Sequence, residues 1–142
     1  MRPGFMVGLL SLVVGAVLAH AGLFRGTPAP DERVKIPPKS VVLEFAEAVE
    51  LKFSTFKVFA LEAKDLKAAK AEAETLFKSR LSLKGDEGSR ADAGLATTVA
   101  TAARVEIRLK EKLEPGYYAV MWKVLSVDTH VTSDFYVFSY QP

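Results

Sequence analysis

The stretch GYYAVMWKVLSVDTH at residues 116–130 decides the fold class. Every second residue in its first half is large and apolar: Tyr118, Val120, Trp122 and Val124. This period of two is typical of a β-strand that buries one face, so we assign its aromatic side chains to packing rather than to ligand stacking. A polar connection at residues 128–134 follows, and the apolar run at 135–140 predicts a last strand.

Other stretches of the chain repeat the same alternation. Residues 41–46 and 51–59 predict two half-buried strands separated by a polar turn at 47–50. Residues 95–109 indicate one further strand or a pair of strands. Four prolines between residues 26 and 38 favour an extended lead-in segment over a helix. The sequence therefore predicts a plan in which strands dominate.

One segment has a helical period instead. Between residues 65 and 81, apolar side chains recur at intervals of three and four: Leu66, Ala69, Ala73, Leu76 and Phe77. This spacing predicts an amphipathic helix, with Asp65 as its N-cap and Gly85 as its stop, packed on the flank of the strands. The stretch at 84–94 is rich in Gly, Ser and charge, which predicts a mobile surface loop.

The first 19 residues have the composition of a secretory signal. Arg2 precedes an apolar run at residues 5–19, and a run of about 15 residues is short for a membrane span, which favours a signal over an anchor. We expect a signal peptide at 1–19 and one domain at 20–142. The triplet from Ala19 to Ala21 also fits a cleavage before Gly22, so both cleavage positions stay open.

Charge and cysteine content exclude several classes of function. The chain has 19 basic and 17 acidic residues, a net charge of +2, which provides no general attraction for nucleic acid. It has no cysteine, so thiolate chemistry is excluded. Any metal ion must be bound by nitrogen and oxygen ligands.

The chain contains only two histidines, and both lie at informative positions. His20 lies at the predicted cleavage junction, and His130 ends an Asp-Thr-His triplet that directly follows the strongest strand. In a strand-like geometry Asp128 and His130 share one face, because residues two apart point the same way. Three acidic residues are assigned instead to solvated strand and turn faces: Glu44, Glu47 and Glu50.

These residue types favour one ion of Cu(II). Cleavage after Ala19 would give His20 a free α-amino group, which forms a chelate with its own imidazole Nδ1. The imidazole of His130 and a carboxylate oxygen of Asp128 would complete a set of three nitrogens and one oxygen. That set suits the tetragonal geometry of Cu(II), whereas Cu(I) prefers sulfur.

Several motifs occur in order along the chain: His20-Ala21, Pro28-Ala29-Pro30-Asp31, residues 41–45 followed by Glu47 and Val49-Glu50, Phe53-Ser54, Pro115-Gly116 with Tyr118, Val120 and Trp122, and residues 126–130. As an ordered set they resemble the CopC/PcoC-type copper-resistance family of exported copper-binding proteins. The resemblance implies an all-β, Greek-key (immunoglobulin-like) β-sandwich with one inserted helix, and a Cu(II) site that matches His20, Asp128 and His130.

The sequence departs from the family in two respects. Some members carry a methionine-rich Cu(I) site, but Met1 and Met6 lie in the predicted signal and only Met121 is left in the domain. We therefore expect a single Cu(II) ion. The helix at 65–81 and the loop after it are longer than the family's usual mid-section.

We accordingly expect a monomeric, non-enzymatic copper-binding protein of the periplasm, or another compartment outside the cytoplasm. It would act in copper homeostasis or resistance, and the resemblance implies delivery to an inner-membrane copper transport protein. Two alternatives stay open. One is a copper-dependent oxidative enzyme of the histidine-brace type, and the other is a metal-free interaction module tethered to the membrane by an uncleaved N-terminus.

Overall fold

The computed structural model describes residues 3–4 and 22–142, and its elements follow from residue 23 onward. The strands are β1 (Leu23–Thr27), β2 (Arg33–Val34), β3 (Ser40–Glu50), β4 (Thr55–Ala60), β5 (Asp92–Leu95), β6 (Thr101–Leu109), β7 (Gly116–Leu125) and β8 (Val131–Tyr140). One α-helix, α1 (Leu66–Arg80), lies between β4 and β5. Single 3-10 turns occur at Leu51–Phe53 and Glu87–Ser89.

The strands form two sheets of four, with orders β1-β3-β6-β5 and β2-β8-β7-β4. All pairs are antiparallel except β2 with β8. Leaving β2 aside, this is the strand order of an immunoglobulin-type sandwich, in which consecutive strands cross between the sheets. The predicted all-β sandwich class is confirmed.

Strand β7 is buried on both faces, which explains why its sequence is so apolar. Tyr118 and Trp122 point between the two sheets into the main core. Ala119 and Met121 point the other way and belong to a second core cluster beneath α1. The alternation in the sequence therefore separates two hydrophobic layers rather than a core face from a solvent face.

The helix α1 lies close to the predicted range and begins as predicted. The side chain of Asp65 accepts a hydrogen bond from the backbone N–H of Ala68 at 2.9 Å, which satisfies one free donor of the first turn. Ala69 and Ala73 are fully buried against the outer face of the β2-β8-β7-β4 sheet. Their small side chains let the helix approach the sheet closely, so the prediction of a helix packed on the flank is confirmed.

A buried lysine joins the C-terminal end of α1 to the sheet. Lys57 on β4 is almost completely buried, and its ammonium donates hydrogen bonds to the carbonyl oxygens of Arg80 at 2.7 Å and Leu83 at 2.6 Å. A third bond, of 2.9 Å, reaches a carboxylate oxygen of Asp86. All three ammonium protons are used, as burial of a charge requires.

A tyrosine corner fixes the start of β7. The hydroxyl of Tyr118 donates a hydrogen bond to the backbone carbonyl of Glu114, four residues earlier. This contact is a hallmark of immunoglobulin-type sandwiches. At the N-terminal edge, the hydroxyl of Tyr136 donates to the carbonyl of Pro28 at 2.8 Å, and a side chain at Gly26 would come within 2.6 Å of that hydroxyl. The lead-in at residues 26–38 contains no helix, as predicted; it contains β2, and most of β1 precedes it.

Three predicted boundaries were wrong. Residues 47–50, expected as a turn, belong to β3, and the chain reverses at Leu51–Phe53 instead. The last strand begins at residue 131, four residues earlier than predicted, because the hairpin turn is shorter than its polar composition suggested. The stretch at 84–94 contains a 3-10 turn and the start of β5, where the buried carboxylate of Asp92 accepts the backbone N–H of Val58 at 2.9 Å.

Candidate metal centre

Asp128 and His130 lie on a tight hairpin turn between β7 and β8. The backbone N–H of Ser126 donates to the carbonyl of His130 at 2.9 Å, and that of Thr129 donates to the carbonyl of Ser126 at 2.9 Å. Thr129 has a φ of 73°, the left-handed conformation that closes a three-residue hairpin loop. The expected strand-like geometry was wrong, yet the turn also brings the two side chains to one place.

The side chains of Asp128 and His130 contact each other directly. Nδ1 of His130 lies 3.0 Å from Oδ2 of Asp128. The imidazole is 80% exposed and the carboxyl 42% exposed, so both remain accessible to an ion from solvent. Because Nδ1 is the nitrogen in contact with the carboxylate, Nε2 is the ring nitrogen that remains available to an ion.

The other carboxylate oxygen of Asp128 is also occupied. Oδ1 accepts a hydrogen bond from the Ser126 hydroxyl and a longer one, of 3.4 Å, from the backbone N–H of His130. The Ser126 hydroxyl is the main cause that lowers the pKa of Asp128 to about 2. Asp128 is therefore an ionised carboxylate at any pH at which the protein would meet a metal ion.

Glu47 adds a second carboxyl group to this site, which the sequence did not predict. Its hydrogen bond to Asp128, followed by the negative charge of Asp128, raises the pKa of Glu47. The register between β3 and β6 is irregular between Glu44 and Val49, and such bulges re-aim side chains at functional sites. Glu47 is exposed, as its assignment to a solvated face predicted, but its contact with Asp128 was not predicted, because no local signal separates it from Glu44 or Glu50.

A cavity of about 220 Å³ opens beside these groups. Its walls combine apolar side chains from both sheets with the polar groups of the turn: Gly22, Phe45, Ala46, Glu47, Val49, Val124, Ser126, Asp128, His130 and Thr132. Phe45 packs edge-on against Trp122, with ring centroids 6.1 Å apart. The only tryptophan of the chain therefore lies one side chain away from the cavity.

The third predicted ligand, His20, lies outside the described residues. Gly22, two residues later, lines the cavity, and its carbonyl accepts the backbone N–H of Ala46 at 3.2 Å. Within residues 3–4 and 22–142, no group of three or more His, Cys, Asp or Glu side chains is arranged to bind a metal ion. In that same part of the chain, no helix is long and apolar enough to cross a membrane.

The arrangement of these residues can be compared with known proteins. Residues 23–141 match the CopC domain. The chain belongs to the CopC family. The predicted resemblance to this family is thereby confirmed.

Relatives of this CopC-family chain cover nearly its whole length. Protein YobA of Escherichia coli (strain K12) is 30% identical over 139 residues, which is 98% of this chain and 93% of YobA. The likeness therefore includes almost all residues of both proteins.

Solved structures of the family share the fold. CopC from Methylosinus trichosporium OB3b has a TM-score of 0.59 at 22% identity and covers 84% of this chain and 92% of its own. PcoC from Escherichia coli, described as a methionine-rich copper resistance protein, has a TM-score of 0.58 at 24% identity, covering 86% of this chain and 99% of its own. In this chain, the side chain of Met121 is fully buried beneath α1.

Proposed function

We propose that this CopC-family protein binds one Cu(II) ion outside the cytoplasm, through His20, Asp128 and His130. Glu47 is proposed as a further oxygen group at the edge of the site. The chain acts as a copper-binding protein of homeostasis or resistance and not as an enzyme, in line with the copper-resistance protein PcoC that shares its fold. Copper is its cargo.

The observation that carries this proposal is the position of Gly22 beside Asp128 and His130 in one cavity wall. Two residues of chain span at most about 7 Å, so His20 is covalently tethered close to the turn. The carbonyl of Gly22 is itself bound to β3, which fixes the point from which this tether extends. A ligand at position 20 is therefore within reach of the same ion.

The donor set fits Cu(II) better than other common ions. The amine and imidazole of His20 and Nε2 of His130 are nitrogen donors, and Asp128 supplies an ionised oxygen. Cu(II) takes such donors in tetragonal geometry and binds them more tightly than other divalent first-row ions. The buried thioether of Met121 is not placed to add a sulfur donor.

The proposal requires export and removal of residues 1–19, because only cleavage after Ala19 frees the amine of His20. Cleavage before Gly22 would remove this ligand. We further propose a periplasmic monomer that passes its ion to an inner-membrane copper transport protein. The exposed position of His130 supports such a transfer, since an acceptor can reach the ion without unfolding the carrier.

The proposal is tested by titrating Cu(II) into the chain that begins at His20. The quenching of Trp122 fluorescence reports how much of the ion is bound. One equivalent should bind tightly. H130A should weaken binding by more than the roughly 10–100-fold that loss of an outer-shell partner costs. E111Q, which changes an exposed acidic residue at the opposite end of β7, should leave binding unchanged. Equal affinities of the wild type and H130A would refute the site.

A further inference from the structure

Ser126 makes two kinds of contact in the turn, and they are separable. Its backbone N–H and carbonyl close the hairpin through bonds of 2.9 Å to His130 and Thr129. Its hydroxyl instead donates to Oδ1 of Asp128 and lies 3.2 Å from the carbonyl of His130. The backbone bonds therefore close the turn, and the hydroxyl donates its proton to the carboxylate.

The two carboxylate oxygens of Asp128 have different partners. With Ser126 on Oδ1, only Oδ2 faces Nδ1 of His130, at 3.0 Å. The backbone N–H of His130 is the other donor to Oδ1, and at 3.4 Å it is too long to fix the carboxylate alone. Asp128 is partly exposed, and its other side-chain contacts are with the His130 imidazole and the carboxyl group of Glu47.

We propose that Ser126 is a positioning residue of the metal site, which holds Asp128 by Oδ1 and so keeps Oδ2 beside the His130 imidazole. This inference rests on the proposed function. Ser126 touches no metal itself and acts through Asp128. A carboxylate that is held by one oxygen cannot rotate freely, so Oδ2 and the imidazole keep their positions relative to each other.

The test compares S126A, S126T and S54A in the chain that begins at His20. S126A removes the hydroxyl, S126T retains it, and S54A removes a hydroxyl that supports the same end of β7. Ser54 Oγ accepts the backbone N–H of Leu125 at 3.1 Å and donates to the carbonyl of Glu50 at 2.7 Å. It is thus a matched control that does not bind Asp128.

Cu(II) affinity, the electron paramagnetic resonance spectrum of the bound ion and the melting temperature are measured for each variant. We expect S126A to bind Cu(II) roughly 10–100-fold more weakly, with altered copper hyperfine coupling. S126T should restore both the affinity and the spectrum. S54A should lower the melting temperature and leave the spectrum as in the wild type.

Three outcomes would overturn the proposal. S126A could match the wild type in affinity and spectrum, S126A and S54A could lose affinity in proportion to their loss of stability, or S126A could fail to fold.

The variant H130A distinguishes a failure of this inference from a failure of the proposed function. If H130A binds Cu(II) as tightly as the wild type, the copper site itself is wrong; if H130A is weakened and S126A is not, only the role of Ser126 is wrong.

Discussion

Two carboxylates of this protein each have a nitrogen partner at nearly the same distance, but one pair is buried and the other is exposed to solvent. Asp86 lies 2.9 Å from the ammonium of Lys57, with both side chains at most 4% exposed. Asp128 lies 3.0 Å from the imidazole of His130, with 42% and 80% of the side chains exposed. The distances alone would suggest equivalent pairs.

The two pairs differ in which polar groups still lack a hydrogen-bond partner among the described residues. Lys57 donates its remaining protons to the carbonyls of Arg80 and Leu83, so the ammonium has no proton left for another acceptor. The imidazole of His130 is 80% exposed beside a cavity, and in residues 22–142 only its Nδ1 contacts the carboxylate. The first pair anchors α1 to the sheet, and the second offers ligands. The proposed ion therefore lies at the pair that solvent can reach, and the buried pair contributes to stability.

The largest expected effect comes from breaking the buried pair. D86A leaves the ammonium of Lys57 buried without its carboxylate, and removing one partner of a buried ion pair costs about 3–5 kcal/mol. Urea unfolding measures this loss. The double variant K57M/D86L should recover much of it, because apolar replacement of both partners is often nearly neutral. Equal stability of D86A and the wild type would break the comparison.

The same pair predicts how stability responds to acid. Burial alone would raise the pKa of Asp86, but the hydrogen bond and charge of Lys57, with the charge of Arg90, lower it overall. Because the folded-state pKa lies below that of the unfolded chain, the contribution is complete above about pH 4 and is lost as the pH falls below it. The side chain of D86N does not ionise, so its free energy of unfolding should depend less on pH below about pH 4 than that of the wild type. An unchanged profile would contradict this account.

A smaller effect is expected in the exposed turn. Thr129 is β-branched and has a φ of 73°, a conformation that costs a non-glycine residue about 1–2 kcal/mol. T129G should raise the free energy of unfolding by about 0.5–1 kcal/mol, after the greater entropy that glycine has in the unfolded chain is subtracted. Thermal unfolding measures it. A loss of stability would show that the bond from the Thr129 hydroxyl to the carbonyl of Asp128 outweighs the strain.

The smallest effect is expected for an exposed ion pair on α1, which serves as a reference for the buried pair. Lys78 and Glu74 form an exposed pair at 3.3 Å on α1, with 72% and 57% of the side chains in solvent. K78A should cost only about 0.3–0.5 kcal/mol, as is usual for such pairs on a helix. Chemical denaturation in low and high salt checks it, since the small difference should shrink as salt screens the charges. A cost near that of D86A would mean that burial is not what separates the pairs.

The elements that the sequence predicted best are those whose packing is periodic. The alternation through Trp122 separates two buried layers, and the spacing of Ala69 and Ala73 marks one buried helix face. Both elements lie close to where the pattern places them. The end of β3 was missed because the bulge at Glu47 follows from pairing with β6, which no local pattern records.

The candidate site was partly predictable for a similar reason. Asp128 and His130 are neighbours in sequence, so a short turn brings them together whatever its type. Glu47 reaches them from another sheet, and only tertiary structure shows this. The anchoring role of Lys57 was likewise invisible, because its three partners lie 23 to 29 residues away.

The most direct test of the copper site is to compare two forms of the same chain starting at His20, one with a free α-amine and one with that amine acetylated. We expect the free form to bind one Cu(II) ion and acetylation to weaken binding by about 100-fold or more, equivalent to about 2.8 kcal/mol. Equal affinity of the two forms would contradict it, because the amine of His20 would then not be a ligand.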